Sequence, residues 1–111
     1  MAALYLPTPE AGRIGPVLQP LAPLLRELRA TVAPRWAQRL LESVLSTCAI
    51  AVAAAIELPN RRFEARHKKI LSEDVDALSA FFLREAHGVL EEQVVGGAVS
   101  FLYALGDAAC T

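Results

Sequence analysis

The clearest pattern along the chain is helical. Leu21, Leu24, Leu25 and Leu28 recur at i, i+3, i+4 and i+7, the spacing that gathers apolar side chains on one face of an α-helix. A short amphipathic helix is predicted over 21–32, with Arg26, Glu27 and Arg29 facing away. Pro34 opens a second and longer segment, since proline is tolerated in a helix's first turn. Arg35, Gln38, Arg39, Glu42, Ser43 and Ser46 make a polar stripe there, opposite Ala37, Leu40, Leu41, Val44, Leu45 and Cys48. From Cys48 to Ile56 no polar side chain remains, and a helix apolar all round is covered on every side or meets a partner. Pro59 ends this helix, predicted over 34–57 and about 36 Å long at 1.5 Å per residue.

The second half of the chain is less regular. Asn60 is a candidate N-cap for a weak helix over 60–71. Ser72 is a candidate cap for the next one, with Glu73, Asp74 and Asp76 in the first turn, where negative charge complements the macrodipole. Leu71, Val75, Leu78 and Phe82 line its apolar face, and Gly88 suits the turn beyond its end. Gly96-Gly97 reads as a break before a last helix over 98–109 with Phe101, Leu102, Leu105 and Ala109 inward. Residues 1–16, with Pro7, Pro9, Gly12, Gly15 and Pro16, read as a flexible lead-in to a single helical domain over 17–111. The expected fold is all-α: an up-and-down bundle of four to five helices with one long central helix, whose Ala-rich half lies against the two C-terminal helices.

Composition sharpens this. Of 111 residues, 20 are Ala and 17 Leu, against 13 Val plus Ile, which favours helix over strand. Eleven Lys/Arg against twelve Asp/Glu leave a net charge of −1, without the basic excess that nucleic-acid binding needs. The uncharged stretch between Glu42 and Glu57 is fourteen residues, short of the roughly 20 that span a bilayer. The first residues carry no secretory signal pattern, so the two thiols are expected to be reduced and the chain cytoplasmic.

Few residues suggest chemistry. His67, His87, Ser72 and Ser79 have no nucleophile-elbow or metal-ligand spacing around them, so no enzyme activity, metal or cofactor is expected. Cys48 reads as a buried hydrophobe, Cys110 as a terminal and exposed thiol, and Trp36 as core. The most pointed charge feature is Arg61, Arg62, Arg66, Lys68 and Lys69, which with one acid, Glu64, give residues 61–69 a local charge of +4. These five are the candidate contact for an acidic partner or anionic lipid head groups, set against a solvated segment balanced by Glu73, Asp74 and Asp76.

Three stretches in order carry a family resemblance. The first is Arg39-Leu40-Leu41-Glu42-Ser43-Val44-Leu45, running on to Leu58-Pro59. The second is Ile70-Leu71-Ser72-Glu73-Asp74-Val75-Asp76-Ala77-Leu78-Ser79-Ala80-Phe81-Phe82 with the turn Ala86-His87-Gly88-Val89, and the third is Phe101-Leu102-Tyr103-Ala104-Leu105. Together they resemble the second Munc homology domain of the MUN-domain family, large cytosolic proteins that prime and tether secretory vesicles. The turn departs from the family's pattern, with Leu83-Arg84-Glu85 after the aromatic pair and only one glycine. The resemblance implies a non-enzymatic module of exocytosis. It would make helix-face contacts with SNARE or other tethering proteins, and the basic run at 61–69 separately suggests peripheral contact to anionic membranes. A generic oligomerisation or adaptor module, including self-association, remains the alternative, because so small a domain cannot hide sixty apolar side chains completely.

Overall fold

The computed structural model describes residues 4–6, 8–57 and 63–110. Its helices are α1 (Gly15–Leu18), α2 (Leu21–Thr31), α3 (Pro34–Glu57), α4 (Lys68–Glu85) and α5 (Glu92–Ala109), with a 3₁₀ turn, Ala65–His67, leading into α4. No strand occurs among the described residues. The all-α, up-and-down architecture and the 24-residue helix match the reading of the apolar periodicity. α5 packs between α3 and α4, while α1 and α2 close the opposite side by bridging from α4 to α3. α3 lies on α5 and α2 and makes no extensive contact with α4, so of the two C-terminal helices expected against it only α5 packs there.

The core runs through Leu41, Leu45, Val52, Leu71, Val75, Leu78, Phe82, Val95, Val99 and Leu102, all almost fully buried. These positions recur at helical spacing on α3, α4 and α5, so three apolar faces meet in one seam. Gly106 faces Leu71 near the far end of the α4–α5 hairpin, where a Cβ would sit 3.4 Å from the Leu71 Cβ, and the missing side chain lets the two helices lie close.

The lead-in is built into the core. Leu4, Tyr5 and Ile14 are buried, Tyr5 stacks edge-on against Phe63, and its N–H donates to the Gly12 carbonyl at 2.7 Å. What fixes this segment is a line of buried polar groups on and just before α4. His67, Asp74 and Glu85 are each about 3% exposed or less, and spacings of seven and eleven residues put them on one helix face. The N-terminal segment answers each in turn. Glu10 meets His67 Nε2 at 3.0 Å. Arg13 Nε and the Ile14 N–H both donate to Asp74, at 2.7 and 3.2 Å. Arg26 grips Glu85 with two bonds of 2.9 and 3.0 Å. Arg29 then donates to the carbonyls of Glu85 and His87 at 2.8 Å each, capping the C-terminal end of α4.

Two boundaries differ from expectation. α4 starts one turn before Ser72, because Glu64 and His67 form a reciprocal capping box ahead of it. The Glu64 N–H donates to His67 Nδ1 at 2.9 Å, so the ring proton sits on Nε2 and is donated to Glu10. Ser72 is therefore inside the helix, half-buried, and Asp74 turns inward instead of serving the first turn. Gly96-Gly97 does not break α5, which runs through both. The buried Val95, Val99 and Leu102 hold the helix, and tertiary packing overrides the low helix propensity of glycine. The Asn60 cap falls outside the described residues.

A Cβ at Gly96 or Gly97 would meet nothing within 4 Å. Gly96→Ala and Gly97→Ala should therefore each stabilise the fold by about 0.5–1 kcal/mol in urea denaturation. The Arg26 and Arg84 guanidiniums hold the Glu85 carboxyl below its ordinary value of 4.5, Arg26 contributing most. A depressed carboxyl stabilises the fold above its unfolded value, and this contribution is lost as pH falls through the folded one. Glu85→Gln should lower the thermal midpoint by several degrees at neutral pH, and the gap to wild type should narrow as scans are taken progressively below the ordinary value of 4.5.

Candidate protein-interaction face

The core face of α3 is Ala37, Leu41, Leu45, Cys48, Val52 and Ala55, all buried. On a solvent-facing flank, about a third of a turn round the helix, run Trp36, Leu40, Ser43, Thr47, Ile50 and Ala54, all exposed. Their spacing of four, three, four, three and four residues draws a narrow stripe down the helix. Its three large members are Trp36 at 52%, Leu40 at 42% and Ile50 at 64% exposure. Trp36 is thus not the core residue expected. At 100° per residue it sits one step off the Ala37–Leu41 core line, on the solvent side, where the Arg39 and Arg35 guanidiniums lie 5.5 and 6.0 Å from its ring. The Cys48–Ile56 stretch is likewise covered on one side only. By length and composition α3 is also apolar enough to cross a membrane, although its inner face is packed.

Alongside the stripe, where α1 and α2 meet α3, is a groove of about 520 Å³ lined by Val17, Leu21, Val44, Cys48 and Ala51, with Ser43 and Thr47 at its rim. Apolar walls with two hydroxyls suit a helix laid along the face. A smaller apolar surface lies on α5, with Val94 and Phe101 exposed.

The candidate basic segment is only partly in view. Arg61 and Arg62 lie outside the described residues. Arg66 pairs with Glu64 at 2.8 Å, and Lys69 lies 4.0 Å from Glu73. Arg66, Lys68 and Lys69 line a shallow hollow together with Ser72, Glu73 and Asp107, so acids are interleaved with these bases. His67 is consumed by its latch with Glu10 and Glu64, and His87 is exposed with its backbone carbonyl held by Arg29. Among the described residues no group of three His, Cys, Asp or Glu side chains is placed to hold a metal. Tyr103 on α5 donates to Asp76 on α4, and this bond raises its phenol to about 12, a tie that holds the hairpin together.

Both cysteines are buried, Cys110 at 2% exposure against the expectation of an exposed terminal thiol. The last turn of α5 folds it onto the core, and burial pushes both thiols above the ordinary value of 9.0. Alkylation at neutral pH should be at least roughly tenfold slower in the native protein than in urea for both, as read by mass spectrometry.

The face belongs to a chain of helical hairpins, α2–α3 and α4–α5, and comparison with known proteins agrees with that architecture. Residues 1–103 match the family described as PATROL1-like, TPR repeats. No curated protein and no solved structure is significantly similar to the chain. The match overturns the resemblance to a second Munc homology domain. A long helix closed by Leu-Pro, an aromatic pair and a leucine-rich last helix are features that many helical hairpins share. The turn after Phe82, where three residues intervene and one glycine remains, was the place where that pattern failed. A helical protein-interaction module is what this family and this fold support. With nearly its whole length matched, the chain belongs to the PATROL1-like TPR-repeat family.

Proposed function

We propose that the chain is a non-enzymatic docking module of the cytoplasm, which receives a helix of a vesicle-tethering or SNARE-type protein on the outer face of α3. The observation that carries the docking reading is the exposed stripe of Trp36, Leu40 and Ile50 beside an apolar groove. A large exposed apolar patch on a small domain marks a contact surface, and a tryptophan flanked by two arginines has the composition of an interface anchor. Membership of the PATROL1-like family supports the setting in membrane traffic.

Trp36 is the chain's one tryptophan, so docking has a built-in reporter. SNARE-motif helices titrated into dilute protein should shift Trp36 emission to the blue and quench its access to iodide. A scrambled helix of the same charge should do neither. Leu40→Glu should weaken the interaction at least roughly tenfold, as expected for an interface anchor. Equal response to both helices would leave a generic adaptor, and no response to either would sink the docking reading.

A further inference from the structure

The α3 stripe is the exposed run that carries the largest side chains, and its spacing is symmetric about its midpoint. Trp36 and Ala54 are equidistant from Leu45, as are Leu40 and Ile50, and Ser43 and Thr47. We propose that this face seats a second copy of the chain, with the two α3 helices antiparallel about a two-fold axis level with Leu45. This rests on the reading of the outer face as a docking surface: the second copy covers it in the free protein, and a partner helix displaces that copy.

The register follows from helix geometry. When two helices pair antiparallel with apolar residues at alternating spacings of three and four, each layer joins the two kinds of position. Here the layers are Trp36 on the other copy's Ala54, Leu40 on Ile50, and Ser43 on Thr47, each occurring twice by symmetry. Large meets small at the ends, aliphatic meets aliphatic between, and four hydroxyls meet at the centre, where small side chains let the backbones approach. The stripe is self-complementary, as an isologous contact requires. Charge agrees with this arrangement. Arg35 lies at one end of the stripe and Glu57 at the other, so antiparallel pairing brings each Glu57 within about 3 Å along the axis of the other copy's Arg35. A parallel pairing would stack Trp36 on Trp36 and arginines on arginines. The contact spans five turns, about 27 Å, which is at the small end of specific interfaces. The expected dimer is weak, with a Kd on the order of 10–100 µM.

Sedimentation equilibrium of the full chain from low micromolar to millimolar concentration should show a monomer passing into a dimer. Leu40→Glu and Ile50→Glu, both at exposed positions, should raise the dissociation constant at least roughly tenfold while circular dichroism and the thermal midpoint stay unchanged. The register is read by disulfide trapping. In the proposed pairing two copies of residue 40 lie about 15 Å apart along the axis, beyond disulfide reach, whereas residue 40 faces residue 50 of the other copy. An equimolar mixture of Leu40→Cys and Ile50→Cys should therefore cross-link into the mixed dimer, and neither variant alone should do so. Homodimeric cross-linking of Leu40→Cys, a dimer indifferent to both glutamates, or a monomer at every concentration would each overturn the proposal. A monomer that still shifts its Trp36 emission with a SNARE-motif helix overturns the second copy and leaves the docking function standing. A wild-type chain that dimerises in this register while no such helix binds its dilute monomer does the reverse.

Discussion

Three buried polar side chains in line on α4 and the turn that leads into it organise the fold. His67, Asp74 and Glu85 lie where water does not reach, and an unpaired charge there would cost several kcal/mol. Each is met by a group from the N-terminal segment, and in the same order along the sequence: Glu10, then Arg13 with the Ile14 N–H, then Arg26. Apolar contacts alone would let this segment slide along α4. The ordered polar contacts permit one register, because a shift of one turn would leave every buried carboxylate unpaired. With residues 10–29 so fixed, α1 lies on α4 and α2 bridges from α4 to α3. The outer face of α3 is left open as a consequence.

That constraint also explains what the sequence does and does not disclose. Helices over 21–32 and 34–57 are legible because their apolar residues recur at a helical period with prolines at the starts. The lead-in reads as flexible because its prolines and glycines are visible locally, while its anchors are not. Arg13 and Asp74 are 61 residues apart and are joined only by the fold. Ser72 with three acids after it has every local mark of a helix start. The true start depends on Glu64 and His67, and a capping box that uses a histidine has no familiar sequence signature. Gly96-Gly97 fails in the opposite sense, since the buried faces on either side carry the helix across them.

The docking face was partly readable. That Cys48–Ile56 lacks a polar side follows from the residues alone, but which flank stays uncovered depends on where α2 and α5 come to rest. Trp36 illustrates the difficulty: a large aromatic beside an amphipathic helix start suits a core, and a single 100° step decides that it faces solvent. The basic segment stood out as a run of charge, yet Arg66 and Lys69 sit among Glu64, Glu73 and Asp107 contributed by neighbouring turns and by α5. Charge density along a sequence overstates charge density on the folded surface.

The polar latch and the apolar stripe therefore divide two tasks between two helices. α4 carries the buried charges that choose the register of the fold, and α3 carries the exposed hydrophobes of the proposed docking face. None of Trp36, Leu40 or Ile50 contributes to the buried core cluster, and none of His67, Asp74 or Glu85 touches the outer face. A substitution on the stripe can alter association without loosening the latch. The reverse does not hold. Losing a pairing on α4 frees residues 10–29, and these carry Val17 and Leu21, which wall the groove beside the stripe. The geometry of the interaction face is thus set from the far side of the molecule, by charges that never reach it.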